Sequence, residues 1–363
     1  VRVAIVIERF DPDAGGVERA AHHQVVELAR RGVEVEVVCR RAIAPAPRGA
    51  RLRVVSVPSF WQPLRVALFS SRAAGVTRDG FDVVHGFART RHQHIYRAGG
   101  GSHAAYMERV YRDAPRRARW SPRHRTILRI EEAVFRDPTQ LIQCNARMNA
   151  QEIATRYGVP SERLVTIYNG VDTERFNPLR REARGAALRA SLHLEGPVAL
   201  FAGSGFERKG LDRAILGLAN AAVHATLLVA GSGDDAPYRA LAAQRGIGAR
   251  VRFLGQRRDV EDLHAAADLF VLPTRYDPFA NACLEAMASG LAVATTPANG
   301  ASELIEPGIS GWLGHDDFAP AFALLRDVEK LRGLGRAARQ TAEQLTWSRH
   351  VDRVLELYQK VVP

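Results

Sequence analysis

Cysteine, lysine and long apolar runs are all scarce in this chain, and each scarcity removes a class of protein. The three cysteines, Cys39, Cys144 and Cys283, stand far apart and without metal-ligand spacing. So sparse and odd a set argues against a disulfide framework and a structural zinc, and it points to a reducing compartment, the cytosol. No apolar run approaches the roughly 18–20 residues that a bilayer span needs, so the chain is not expected to cross a membrane by itself. The opening run Val1–Ile7 lacks the layout of a cleavable signal and reads as a buried first strand. Lysine occurs only at Lys209, Lys330 and Lys360, so the cationic side of the chain is almost entirely arginine.

What is present is a globular balance, 46% apolar and 25% charged, over 363 residues. That length is too great for one ordinary core and suits two domains of roughly 100–200 residues each. The formal net charge of +12 favours anionic partners: phosphorylated substrates, acidic lipid or nucleic acid.

Short apolar runs alternate with amphipathic stretches. Runs of strand character fall at Val1–Ile7, Val33–Cys39, Val54–Val57, Val83–Gly86, Ile95–Ala98 and Leu141–Cys144. Between the first two, Val17–Arg31 places Ala20, Ala21, Val25, Leu28 and Ala29 on one helical face. The alternation restarts at Val198–Ala202 and continues through Leu227–Ala230, Val251–Leu254, Leu269–Leu272 and Val293–Thr295. Such uniform apolar strands suit parallel sheets covered on both faces, so the chain reads as two doubly wound, Rossmann-like α/β domains in tandem. The expected division is residues 1–172, a linker at 173–196, a second domain at 197–343, and a C-terminal helix at 344–363 returning to the first domain. In such folds ligands bind beyond the carboxyl ends of the strands, and the unusual residues of this sequence lie there.

After the first strand, Gly15 and Gly16 open a helix, which allows close backbone approach to an anion; a tight turn is the plainer reading of the pair. The G-x-G-x-x-G fingerprint is absent and the second strand ends in Arg40-Arg41 rather than an acid, which counts against a nicotinamide enzyme. Asp11-Pro12-Asp13 has the D-x-D form of metal-dependent transferases, but its place and its proline read as a loop. After the first strand of the second domain, Gly203-Ser-Gly-Phe-Glu-Arg208-Lys209-Gly210 sets two cations on a glycine loop, an arrangement that suits a diphosphate; a solvated basic turn is its alternative. The glycine spacing is not that of a P-loop. The segment Leu272–Gly290 follows a buried strand, turns at Pro278 and opens a helix near Asn281, with Asp277 on the loop and Glu285 a turn into the helix. The backbone N–H groups of residues 279–282, beginning with Phe279, Ala280 and Asn281, are expected to be free for an anion or sugar hydroxyls. Two acids near a helix start are also common caps.

Taken together, Asp277-x7-Glu285, Ile167-Tyr-Asn-Gly-Val-Asp172, Arg208-Lys-Gly210 and Gly15-Gly16 resemble family 4 of the retaining glycosyltransferases, which have the GT-B fold of two Rossmann-like domains facing across a cleft. Within that family the phrases Arg208-Lys-Gly-Leu-Asp-Arg213 and Val83-Val-His-Gly-Phe87 look most like bacterial lipopolysaccharide-core glucosyltransferases. The resemblance implies that Arg208 and Lys209 hold the donor diphosphate, that Asp277 contacts the donor sugar, and that Glu285 binds the ribose. It also implies that Gly15 and Gly16 approach the diphosphate, and that His103, with His94 as the alternative, lines the acceptor side. Two residues depart from the pattern: the first acid is Asp rather than Glu, and Ser204 stands where the family commonly has arginine.

The implied activity is transfer of a hexose, glucose from UDP-glucose, onto a lipopolysaccharide-core or other membrane-associated glycan, with no metal or other cofactor. A GDP-sugar or mannosyl donor is the alternative within the family. A phosphorylase would need a pyridoxal-phosphate lysine, for which three lysines leave little room. A non-catalytic nucleotide- or nucleic-acid-binding module is the alternative from another class, without an RNA-binding aromatic motif to support it. Between Arg97 and Arg129 lie nine arginines against Glu108 and Asp113, interleaved with Tyr106, Met107, Tyr111, Trp120 and Ile127. Such a segment reads as an anionic-membrane face, a nucleic-acid surface or a solvated helix. The first places the protein peripherally on the inner face of the inner membrane, with no nucleic-acid partner.

Overall fold

The computed structural model describes residues 1–58, 61–110 and 121–362. Two compact units emerge: Val1–Gly170 together with Trp347–Pro363, and Val171–Thr346.

The first unit is a seven-stranded sheet of β1 (Arg2–Phe10), β2 (Glu34–Ala42), β3 (Ala50–Val54), β4 (Val83–Gly86), β5 (Ile95–Arg97), β6 (Leu141–Cys144) and β7 (Leu164–Thr166), in the order β3-β2-β1-β4-β5-β6-β7. Every pairing is parallel, with Val3 opposite Val35 on one side and Val83 on the other. Val3, Ala4, Ile5 and Val6 are fully buried, as a central strand covered on both faces requires. The second unit has six parallel strands, β8 (Val198–Ala202), β9 (Thr226–Ala230), β10 (Val251–Gly255), β11 (Leu269–Leu272), β12 (Ala292–Thr295) and β13 (Gly311–Leu313), in the order β10-β9-β8-β11-β12-β13. The same order reversal beside the first strand of each sheet makes both units doubly wound.

Three strands differ from the sequence reading, all at sheet edges. The third strand is Ala50–Val54 rather than Val54–Val57. Its outward Arg51 and Arg53 pair with Glu34 and Glu36 of β2, so its signal is charge alternation, and the apolar run comes after the pairing has nearly ended. The strands β7 and β13, three residues each, are too short to show a period.

Residues 173–196, expected to link two domains, lie within the second unit. Arg175 bonds Glu261 (2.9 Å), Arg180 bonds Asp262 (2.7 Å) and Arg189 bonds Asp268 (3.2 Å). The C-terminal helix Trp347–Tyr358 packs in the first unit, with Arg31 on Asp352 (2.6 Å) and the His23 ring stacked on Trp347 at 4.7 Å. A buried polar knot completes the contact: Gln24 Nε2 donates to the Tyr358 hydroxyl (3.0 Å), and His85 Nδ1 lies 3.0 Å from that hydroxyl. Gly170 permits the chain to pass here, because a Cβ on it would fall 2.6 Å from Trp347 Cα.

Candidate functional site

In the second unit, β8 lies between β9 and β11, and the loops after β8 and β11 leave the sheet side by side at the switch point. The β8 loop turns into the short helix Phe206–Lys209 and stops at Gly210, whose φ is +74°. Only glycine fits there: the conformation is left-handed, and a Cβ would lie 2.0 Å from the Pro273 carbonyl oxygen. The two loops are laced together. Thr274 Oγ1 and the Arg275 N–H both donate to the Arg208 carbonyl (2.9 and 2.8 Å), and Arg275 forms a two-pronged pair with Asp212 (2.9 and 2.7 Å).

Arg208, Lys209 and Asp277 thereby meet. Arg208 Nη1 donates to Asp277 Oδ2 (2.8 Å) and to the Tyr276 carbonyl (3.0 Å), and Lys209 Nζ donates to the same Asp277 oxygen. Asp277 is 7% exposed. Burial opposes its ionisation, and the Lys209 and Arg208 charges outweigh that, holding its carboxyl below the usual range. The sequence reading assigned this carboxylate to the donor sugar; here it is turned onto the cations.

Asp277 Oδ1 accepts the Phe279 N–H (3.1 Å), and Asn299, reaching in from the loop after β12, accepts the Ala280 N–H through Oδ1 (3.1 Å). Two of the four backbone donors expected to be free are therefore engaged, because both acceptors cap the turn before the helix Asn281–Ala288. Phe279 and Ala280 are buried, while Asn281 and Glu285 are half-buried on that helix. Glu285 lies within electrostatic reach of the buried His264 ring.

In the first unit, β1 runs to Phe10, and Gly15 caps the helix Gly16–Arg30. Asp11 is buried, bonded to Arg9 and to the Asp13 N–H (3.0 Å), so the D-x-D segment is a closed turn. His103 begins the helix His103–Val110 after the glycine loop 99–101. Glu131, fully buried on the helix Pro122–Arg136, holds that helix start. It accepts the N–H groups of His103 (2.7 Å) and Ala104 (3.3 Å), the Ser102 hydroxyl (3.2 Å), the Tyr157 hydroxyl (2.6 Å) and Arg89 (Nε, 3.1 Å). Burial opposes its ionisation, and Arg89 with these hydrogen bonds outweighs it, so its carboxyl is held low.

His103 Nε2 lies 2.9 Å from His124 Nδ1, and the Tyr106 ring stacks on the His103 ring (5.8 Å between centroids). Burial, with Arg89 next, pushes His103 down to about 4, and burial also lowers His124, so both rings are neutral near pH 7. They line a cavity of about 250 Å³ with Arg89, Gly100, Tyr106 and Arg123. His94 has a different place: its Nδ1 accepts the Val84 N–H (3.0 Å). His124, Glu131, Arg89 and Asn299 were not foreseen. Glu131 had a signal, an acid at helical spacing on the stripe His124–Glu131–Val134–Phe135 that faces the core.

Residues 196–327 match the model of glycosyl transferases group 1, and residues 14–175 match that of glycosyltransferase family 4. The chain is a glycosyltransferase of the group 1 and family 4 type. The D-inositol 3-phosphate glycosyltransferase of Saccharomonospora viridis is 28% identical over 393 residues, covering 96% of this chain and 90% of that protein. That of Mycolicibacterium smegmatis is 28% identical over 403 residues, covering 99% and 91%. Among solved structures, WaaG, a glycosyltransferase involved in lipopolysaccharide biosynthesis, has a TM-score of 0.84 at 23% identity, covering 98% of this chain and 99% of WaaG. Anabaena Alr3699/HepE in complex with UDP and glucose has a TM-score of 0.77 at 19% identity, covering 99% of each. The two parallel sheets of this glycosyltransferase thus form the two Rossmann-like domains of the GT-B fold. No helix among the described residues is long and apolar enough to cross a membrane, and these residues include no cluster of three or more metal-ligating side chains.

Proposed function

We propose that this glycosyltransferase moves a hexose from a UDP-sugar, UDP-glucose first, onto an anionic membrane-associated glycan of the lipopolysaccharide-core kind, with retention at the anomeric carbon. The observation that carries the donor half is the convergence of Arg208 and Lys209 from one turn at the β8–β11 switch point. Two cations fixed by their loop can stabilise charge on a departing diphosphate without reorganising in the transition state. The bond from the anomeric carbon to the diphosphate oxygen breaks, and the acceptor oxygen bonds to that carbon on the same face. The acceptor proton passes to the departing diphosphate. Glu285 takes the ribose, Gly15 and Gly16 approach the diphosphate, and His103 lines the acceptor pocket. With Arg208 and Lys209 in that role, turnover needs no divalent metal. The structure of HepE with UDP-glucose supports the donor, and likeness to WaaG supports the acceptor class.

A second acceptor, a phosphorylated polyol, is favoured by the inositol phosphate relatives and by the cavity at His103. Arg123 borders that cavity, and no acid partner to it is found among the described residues. Membrane attachment through residues 97–129 rests in part on Arg112, Arg116, Arg117, Arg119 and Trp120, which lie outside the described residues.

The deciding experiment measures transfer from UDP-glucose and GDP-mannose in EDTA, with phosphorylated and unphosphorylated acceptors. Lys209→Ala should cut turnover at saturating donor at least about 100-fold, a loss of about 2.7 kcal/mol of transition-state stabilisation. Near-normal turnover in that variant refutes the diphosphate assignment. Activity lost on chelation and restored by Mn²⁺ refutes the metal-free reading.

A further inference from the structure

Both cations of the donor loop are already bonded to a carboxylate. Asp277 Oδ2 receives Arg208 Nη1 and Lys209 Nζ, while Oδ1 is held by the Phe279 N–H. That backbone bond fixes the carboxylate plane, so Asp277 cannot swing aside without losing it. Asp277 N–H also donates to the Ala298 carbonyl (3.0 Å), and Gly300 N–H donates to the Asp277 carbonyl (2.9 Å), so its main chain is pinned as well. Three formal charges leave the loop at +1 where two free cations would offer +2. The side chain is one methylene shorter than glutamate, and it ends at the cations.

We propose that Asp277 is a positioning residue that acts through Lys209 and Arg208: it holds both in place between turnovers, and it competes with the diphosphate for them, which speeds release of the nucleoside diphosphate product. This rests on the reading of Arg208 and Lys209 as ligands of the donor diphosphate. A fixed negative charge behind the cations repels a bound polyanion, and in a site of low effective dielectric that repulsion is large. Removing the charge and keeping the shape should therefore tighten product binding. An ordinary structural residue or a sugar contact gives the opposite sign or no effect.

The test is calorimetric titration of UDP into the wild type, Asp277→Asn, Lys209→Met and the Lys209→Met/Asp277→Asn double variant, with steady-state kinetics on each. Asp277→Asn should bind UDP at least about tenfold more tightly, with kcat and donor KM both lowered. Lys209→Met should weaken UDP binding, and adding Asp277→Asn to it should recover about tenfold, since Arg208 is then released. The double variant removes both members of the buried pair and leaves unpaired only Arg208, which is part-exposed and keeps its bond to the Tyr276 carbonyl, so it decides the matter if Asp277→Asn alone does not fold. Unchanged or weaker UDP binding in Asp277→Asn, or no recovery in the double variant, overturns the latch and leaves the donor site standing. Unchanged UDP binding in Lys209→Met overturns the donor assignment and the latch with it.

Discussion

Glu131→Gln removes one negative charge and almost no volume, and it acts on the segment that carries His103. The carboxylate is fully buried and accepts on both oxygens: Oε2 from His103 N–H and Arg89, Oε1 from Ser102, Ala104 and Tyr157. A glutamine must present its NH₂ to one of these sets, so donors then face a donor whichever way it turns. Arg89 also loses its counter-charge. Breaking one side of a buried pair costs about 3–5 kcal/mol. For a unit of this size each kcal/mol moves the melting temperature by about 2–4 °C, so the first unit should melt roughly 10 °C lower. Differential scanning calorimetry reads the loss. Kinetics show its reach, since acceptor KM should rise severalfold while UDP binding, assigned under the proposed function mainly to Arg208 and Lys209 of the second unit, changes much less. A melting temperature within about 2 °C of wild type, with acceptor KM unchanged, would refute the account of Glu131 as the anchor of the His103 helix.

Acid should destabilise the first unit before its carboxylates titrate. Burial lowers His85 to about 3, and His103 and His350 to about 4, so the unfolded chain binds more protons below pH 6.5. Stability is therefore full above pH 6.5 and falls toward pH 4, by up to about 1.4 kcal/mol per pH unit for each histidine; a melting temperature flat from pH 7 to 4.5 contradicts this. Gly210→Ala should lower the melting temperature by several degrees and weaken UDP binding, because the new methyl group meets the Pro273 carbonyl at a left-handed φ; thermal shift with and without UDP measures both. Arg123→Glu should raise KM for a phosphorylated acceptor about tenfold or more and leave that for a neutral acceptor nearly unchanged, and equal changes for both would remove the anionic reading of the cavity.

Burial and proximity explain which parts of this molecule could be read from its sequence. Central strands such as Val3–Val6 and Val198–Phe201 are buried on both faces, so they must be apolar throughout, and a run of that kind is visible without a partner. Edge strands answer to one neighbour, and β3 stays in place through Arg51 and Arg53 on two acids of β2. The cationic loop was legible because Arg208, Lys209 and Gly210 are consecutive. The direction of Asp277 was not, since it depends on the β8 and β11 loops meeting 68 residues apart in sequence. A shorter separation was enough to hide Asn299, whose side chain caps a turn 19 residues earlier. His103 stood out on its glycine loop, whereas His124 touches it only because Glu131 anchors the two helices to each other.

The excess of positive charge becomes specific once its placement is known. Several acids of the molecule serve two arginines each: Glu34 takes Arg2 and Arg51, Glu8 takes Arg40 and Arg65, and Asp268 takes Arg181 and Arg189. These clusters lock strands and connecting segments inside their units, and their spare charge is spread over both. On the helix Pro122–Arg136 the pattern changes. Its inward side carries His124, Ile130, Glu131, Val134 and Phe135, and its outward side carries Arg123, Arg125 and Arg129, exposed and without an acid partner among the described residues. Exposed pairs add little to stability, so leaving these three arginines unpaired, on a helix that also carries the exposed Glu132–Arg136 pair (2.9 Å), gives up little. What they add is an excess of positive charge beside the cavity that His103 lines, which under the proposed function should favour an anionic acceptor and loses its reach beyond roughly 8 Å at physiological salt.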